Sequence, residues 1–319
     1  MAGLNAGLGV TLGRLTLDDV DAAATLSRVI GWNQTEADWV RLVATPGSEV
    51  FAARSGDSLV GTASLVRYGS SLGWLGMVIV HPDVRGRGLG GALVDHVLAE
   101  WDAAPGTMLG LDATEFGAPL YQRRGFKNLA TIDRWLGTAT SVAEAALTAS
   151  GSAAVTVRTV VASDGQPIAD LDLRYAGVDR SGLLQRLIAE SIDTPGAAGV
   201  RLIVAERDGA LVGYAAVRPG RERSHVGPLI ADGDEAVAAL LTGLTSFSTG
   251  AEWYLDAVSQ SGRTHVLRSL GFEVVRTLQR MARGERAMTT PVGADGGGVG
   301  SALALTGDRL VAAMGFEWG

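Results

Sequence analysis

The run Val80-His-Pro-Asp-Val-Arg-Gly-Arg-Gly-Leu-Gly-Gly91 gathers the residue types in this sequence best suited to chemistry. An apolar stretch ends at Val80, and an amphipathic helix begins within the glycines. Glycine tolerates positive φ and lets a bound group approach the main chain closely. A helix start offers unpaired N–H groups and partial positive charge, which together suit a phosphate. Arg85 and Arg87 add cationic donors beside it. The chemistry implied is a cradle for phosphate or pyrophosphate. Gly86, Gly88 and Gly91 also satisfy G-x-G-x-x-G, with Asp112 about 20 residues on, as in a dinucleotide fingerprint. That fingerprint needs a tight turn directly after a strand of a parallel βαβ unit. Here Pro82 and its neighbours separate strand from glycines, and the preceding elements read as hairpins, so this reading ranks second.

The elements that must position this loop occur twice. Phe51-Ala-Ala-Arg-Ser-Gly-Asp-Ser-Leu-Val-Gly-Thr-Ala63 parallels Ile203-Val-Ala-Glu-Arg-Asp-Gly-Ala-Leu-Val-Gly-Tyr-Ala215. Each is a strand, a Gly-Asp or Asp-Gly turn and a second strand, a strong hairpin signal. Further on, Gly125-Phe126 with Thr131 and Arg134 parallels Gly271-Phe272 with Thr277 and Arg280. A repeat of that period describes a drifted tandem duplication. In the first copy the pattern predicts a strand near 10–14, helices near 17–30 and 35–43, a hairpin over 50–67 and a strand over 73–80. A helix over 88–102 aligns Leu89, Ala92, Leu93, Val97 and Trp101 on one stripe. A strand over 107–112, a helix over 116–123 and a strand over 126–136 complete that copy. The fold class is α/β, with an α+β mixed sheet. The boundaries read are 8–138, a linker at 139–153 that is rich in Ala, Ser, Thr and Gly, a second copy at 154–284, and a Gly-rich tail at 285–319 with a terminal strand near 309–314.

Residues 10–136 resemble the GNAT superfamily of acyl-coenzyme-A-dependent N-acetyltransferases. Its signature V-x-P-x-x-R-G-x-G-x-G/A stands here as Val80, Pro82, Arg85, Gly86, Gly88 and Gly90. A second signature, L-Y-x-x-x-G-F, stands as Leu120, Tyr121, Gly125 and Phe126. The resemblance implies that main-chain groups of Val78, Ile79 and Val80 hold the pantetheine and thioester carbonyl of acetyl-CoA. It also implies that Arg85, Gly86, Arg87, Gly88, Leu89, Gly90 and Gly91 form the pyrophosphate loop, and that Tyr121 gives the departing sulfur its proton. A phenol is protonated at neutral pH, which agrees with that role. Three residues are open as the base: Asp112 at a strand end, Glu115 three residues later, and His81 just past the acyl-binding strand. Each has a plainer reading, as a helix cap or a surface loop residue, and many relatives use a water chain instead. Trp32 and Trp39 lie where the family often lids its acceptor site, or are simple core.

In the second copy the aligned stretch is His225-Val-Gly-Pro-Leu-Ile-Ala-Asp-Gly-Asp-Glu235. No R-G-x-G-x-G survives. Asp232, Asp234 and Glu235 now stand at the helix start, where acidic groups favour a helix but repel a diphosphate. Leu267 replaces Tyr121. An intact first domain with a degenerate second resembles the tandem proteins with YitH-type, holothin-acyltransferase-like C-terminal domains. Asp179-Arg180, near Tyr175, fits that pattern and reads as a helix anchor in preference to a substrate contact.

The expectation is therefore an acetyl-CoA-dependent N-acetyltransferase acting on a primary amine of a small molecule, by direct attack in a ternary complex. The alternatives are a protein or peptide N-acetyltransferase, or a non-catalytic acyl-CoA sensor. The chain has 319 residues and 27 basic against 34 acidic side chains, a net charge of −7. That balance argues against a general nucleic-acid or anionic-membrane binder. Cysteine is absent, and the four histidines lack zinc-like spacing, so no metal is expected. No apolar run approaches the ~18 residues of a membrane span. The start MAGLNAGLGV lacks a cationic n-region, and the expected compartment is the cytoplasm. Oligomeric state is left open between monomer and homodimer.

Overall fold

A computed structural model describes residues 9–70, 72–103, 108–148, 155–194, 199–247, 251–259, 262–284 and 309–312. Of the Gly-rich tail read at 285–319, all but 309–312 lies outside them. The first half comprises β1 (Thr11–Arg14), α1 (Val20–Val29), α2 (Glu36–Ala44), β2 (Ser48–Ser55), β3 (Ser58–Tyr68), β4 (Leu72–Val80), α3 (Leu89–Ala103), β5 (Met108–Ala113), α4 (Ala118–Gln122) and β6 (Lys127–Thr138). After α5 (Ala139–Thr148) the second half repeats the order. It holds β7 (Thr156–Thr159), α6 (Gly165–Ala176), α7 (Ser181–Asp193), β8 (Arg201–Arg207), β9 (Ala210–Arg218), β10 (Ser224–Asp232), α8 (Asp234–Leu244), β11 (Glu252–Val258), α9 (Thr264–Ser269) and β12 (Glu273–Arg283). A last strand, β13 (Arg309–Ala312), follows.

All thirteen strands join one sheet in the order β1-β2-β3-β4-β5-β12-β6-β11-β13-β10-β9-β8-β7. Pairing is antiparallel throughout except at β4–β5 and β10–β11, which are parallel. One apolar cluster underlies α1, α2, α6 and α7 across both halves, from Trp39 and Trp74 to Leu187 and Tyr214. The stripe expected on α3 is buried in a second cluster, which includes Leu93, Val97 and Trp101. The Leu-Val-Gly shared by the hairpins has a packing reason. A Cβ on Gly61 would stand 3.0 Å from Leu93 of α3, and one on Gly213 3.0 Å from Leu240 of α8. A bare backbone at these two positions lets each helix settle onto its hairpin. Among the described residues no helix is long and apolar enough to cross a membrane.

Two features differ from the sequence reading. The strand expected to complete the first copy, β6, does not pair with β5. It lies between β12 and β11, while β12 of the second half pairs with β5. Each half thus donates its last strand to the other. The repeat signals Arg134 and Arg280 mark the exchange. Arg280 donates Nε and Nη2 to the two oxygens of Asp112, each at 2.8 Å. Arg134 does the same to Asp256, again at 2.8 Å. The second difference is the segment read as a linker, whose first part is helix α5. Its Ala139 and Val142 bury in the cluster under α8, because alternating small and apolar residues give it a packing face.

Candidate active site

Strand β4 carries the site's main-chain surface. It pairs with β5 only from Leu72 to Trp74, opposite Met108 to Gly110, and beyond Trp74 the two strands part. From Leu75 to Val80 the edge turned toward β5 makes no ladder with it. On the other edge the register with β3 slips between Thr62 and Ser64, and Met77 takes φ +49°, uncommon for a residue with a side chain. This is a bulge, which adds a residue and re-aims the peptide groups around it. Thr62 Oγ1 donates to the Met77 carbonyl at 2.8 Å and fixes it. The sequence hides the bulge, since Gly76-Met-Val-Ile-Val80 is uniformly apolar and shows no alternation to slip.

After Val80 the chain makes one tight turn at Pro82–Val84 and enters the glycine loop. Gly86 and Gly88 adopt φ +74° and +86°, with nothing within 4 Å of an added Cβ. Glycine is needed here for conformation, not for room. Arg85, Gly86, Arg87 and Gly88 are exposed, and Leu89, buried beneath them, opens α3. Arg85 Nε donates to the Val80 carbonyl at 3.0 Å, tying loop to strand. Gly91 lies inside the helix, and its carbonyl accepts from Arg124 Nη2 at 3.2 Å. Arg124 also grips Asp95 at 2.6 Å and the Leu120 carbonyl at 3.0 Å, stapling α4 to the first turns of α3.

That staple positions Tyr121. Its ring meets Phe126 edge-on at 6.0 Å, and 9% of the residue is exposed. Burial pushes its hydroxyl up to about 12, with Arg124 opposing the shift. Of the three base candidates, Asp112 has its carboxylate fully buried and bound by Arg280, whose guanidinium stacks 4.9 Å from the Trp74 ring. His81 Nδ1 accepts from the Asp83 N–H at 3.3 Å and caps the turn. Glu115 is exposed, and its carboxylate makes no ion pair among the described residues. Trp39 is core, donating to Ser27 Oγ at 3.1 Å, whereas Trp32 lies at the junction of the halves, its carbonyl accepting from Arg221.

The junction itself is charged and largely buried. Asp38 on α2 accepts from Arg41 at 2.8 Å and Arg218 at 2.9 Å, and Arg41 also reaches Glu190 of α7 at 2.8 Å. Burial alone would raise the Asp38 carboxyl, but Arg218, Arg41 and Thr35 hold it below the ordinary range. Asp256 is lowered against the same opposition by Arg134, His225 and Arg218. Beside them a small open cleft is lined by Asn33, Gln34, Asp38, Arg134, Arg218 and His225.

Residues 46–128 and 168–293 each match a family model described as an acetyltransferase (GNAT) domain. The uncharacterized N-acetyltransferase YitH of Bacillus subtilis (strain 168) is 28% identical over 180 residues, 55% of this chain and 57% of that protein. The match therefore spans little more than half the length of that relative. A provisionally assigned acetyltransferase from Pyrococcus horikoshii shares the fold over 100% of this chain and 99% of its own, with a TM-score of 0.75 at 16% identity. A tandem GNAT protein from the clavulanic acid biosynthesis pathway covers 88% of this chain and 100% of its own, with a TM-score of 0.65 at 17% identity. The chain belongs to the GNAT acetyltransferase superfamily. Membership makes it an acyltransferase by class.

Its two GNAT halves are unequal where the loop and the parted strands lie. In the second half β10 and β11 pair at Ser224–Val226 and then separate, as β4 and β5 do. That gap is filled: β13 pairs with β10 along Leu229–Asp232 and touches β11 at Ala257. The bulge there falls at Gly227-Pro228, and proline offers no N–H. The helix start carries Asp234, bound by Arg263 at 2.6 Å and His265 at 2.9 Å. Leu267, at the Tyr121 position, is wholly buried. Asp179 caps α7 through the Ser181 N–H, Arg180 is bound to buried Asp172, and Tyr175 stands 3.4 Å from Asp232. The contacts of Asp179 and Arg180 are internal to the fold.

Proposed function

We propose that this GNAT protein transfers the acetyl group of acetyl-CoA to a primary amine of a small molecule, by direct attack in a ternary complex, with coenzyme held by the first half alone. The observation that carries the reading is the parted, bulged edge of β4 running into an exposed loop whose Gly86 and Gly88 hold left-handed conformations ahead of α3. The thioester tail and the diphosphate both need main-chain donors, which strand and loop offer in that order along the chain. The catalytic unit is then residues 8–138, completed by β12, and 154–284 is a supporting half whose equivalent gap β13 occupies.

As substrate, acetyl-CoA brings a thioester whose acetyl carbon bonds to the amine nitrogen as its bond to sulfur breaks. Val78, Ile79 and Val80 offer the carbonyl N–H donors that grow more favourable as its oxygen gains charge. Tyr121 gives its hydroxyl proton to the leaving thiolate; burial keeps that proton in place at neutral pH. Asp112 is committed to Arg280 and His81 to its turn, which leaves Glu115 or water to take the proton from the amine.

The test is thiol release from acetyl-CoA with a panel of primary amines, joined to calorimetry of coenzyme binding. We expect amine-dependent thiol release and one coenzyme per chain. Tight binding without turnover on a broad panel would defeat the transfer reading. Two equivalent sites would defeat the assignment to the first half.

A further inference from the structure

We infer that the acceptor carries a compact anionic group, a carboxylate or a phosphate, and that Arg276 of the second half's strand reads it. This deepens the acetyl-transfer proposal and rests on it. The exchanged strands lay out residues in rows across the middle of the sheet. Arg280 stands opposite Asp112, Leu278 opposite Ile132, and Arg276 opposite Arg134, which in turn stands opposite Asp256. Because side chains alternate, Arg276, Leu278 and Arg280 share one face, and Arg276 lies about 13 Å along the strand from Arg280. Arg280 stacks on Trp74, the residue at which β4 and β5 begin to part. Arg276 therefore stands across the ladder from Arg134, which lines the cleft together with Arg218 and His225.

The charges on this floor do not cancel. Both oxygens of Asp256 are occupied by Arg134, and Asp38 is shared by Arg41 and Arg218. Glu273, one row away, forms no ion pair with Arg276. Among the described residues Arg276 makes no ion pair or hydrogen bond with a carboxylate; Asp256 attracts it from across the sheet, yet it faces a second guanidinium across the ladder. Like charges directly opposed on neighbouring strands are destabilising. Partial desolvation of this exposed side chain and the nearby Arg134 lower its proton affinity against the pull of Asp256 and Tyr254, the direction expected of a cation set against another cation. A planar guanidinium suits bidentate recognition of a carboxylate or phosphate. An arriving anion would relieve the repulsion while its amine end points toward the parted strands. This places a specificity residue on the half that has lost the coenzyme loop.

The experiment compares ω-amino acids of increasing chain length with their neutral amides, and aminoalkyl phosphates with the corresponding amino alcohols, in wild type, Arg276→Gln and Arg276→Lys. We expect wild type to prefer one anionic series over its neutral partners. Arg276→Gln should raise KM for that series by about 10- to 100-fold, with coenzyme affinity unchanged. Arg276→Lys should recover part of the loss, and the neutral compounds should be indifferent to the change. Whichever series responds names the anion. Equal kcat/KM for charged and neutral partners, or an Arg276→Gln variant with unaltered KM, overturns the inference while leaving acetyl transfer intact. Should no amine turn over, calorimetry of the same acids on the coenzyme-loaded protein decides. Binding that Arg276→Gln abolishes upholds the anion site, and no binding to wild type refutes it.

Discussion

At the scale of single residues, Tyr121 shows how position in the fold changes a side chain's chemistry. An ordinary phenol ionises near 10, but burial among Phe126 and the α3–α4 contacts pushes this one up to about 12. The neutral form is the one favoured in the folded protein, so the stabilising difference is complete below pH 10 and is lost between there and 12. If Tyr121 supplies the sulfur's proton, its contribution should persist where an exposed tyrosine would fail. We expect kcat to show no Tyr-dependent fall up to pH 10. Tyr121→Phe should retain coenzyme affinity and lose about 100-fold or more in kcat, the usual size of a general-acid term. Stopped-flow or steady-state rates over pH 7–10 check both statements. A Phe variant at full rate would remove Tyr121 from the reaction.

At the scale of elements, the decisive unit is β4, its turn and α3. Beyond Trp74 the strand makes no ladder with β5 among the described residues, and a helix start offers N–H groups without intrahelical partners. Between them Gly86 and Gly88 hold left-handed conformations in open surroundings. Alanine at Gly86 meets no steric neighbour, so the cost is conformational, about 1–2 kcal/mol. We expect Gly86→Ala to weaken acetyl-CoA binding by about 10-fold while the melting temperature moves by a few degrees at most. Isothermal calorimetry beside a thermal melt measures both. A variant that binds coenzyme as wild type does would show that this turn's shape is not what the ligand reads. The second half keeps the same strand and helix but fills the gap with β13 and caps the helix with Asp234, which Arg263 and His265 hold. The duplicated element survives as architecture after losing the geometry of a binding surface.

At the scale of the whole molecule, the halves are joined by exchange. The Asp112–Arg280 and Asp256–Arg134 pairs occupy equivalent places, each joining one half to the other, and in each the carboxylate is wholly buried. Removing one partner of such a pair leaves an uncompensated interior charge, which costs about 3–5 kcal/mol. We expect Arg280→Met to lower stability by that amount in chemical denaturation of the full chain, with one transition instead of two. The double variant Asp112→Leu, Arg280→Met should regain most of the loss, since no charge is then stranded. A single Arg280 variant as stable as wild type would show the pair to be incidental to the join.

The sequence alone determined what local rules control. The hairpins followed from Gly-Asp and Asp-Gly between apolar strands, the α3 stripe from helical spacing, and the glycine loop from residues whose conformational demands are written in their type. Loss of the loop in the second half was equally legible, because Asp234 and Glu235 replace glycine and arginine there. The tertiary structure decided what depends on partners distant in the chain. β6 and β12 have nearly the same pattern as strands that stay within their own half, so nothing local says they are exchanged. Asp112 stood open as one of three base candidates because its neighbours in sequence are silent about Arg280, which is 168 residues away. The bulge at Met77 and the placing of β13 between β10 and β11 arise from backbone pairing, which side-chain type does not encode. Arg276 became a candidate only once its strand had been laid against Arg134, since a charge is surplus only with respect to the neighbours that the fold assigns to it.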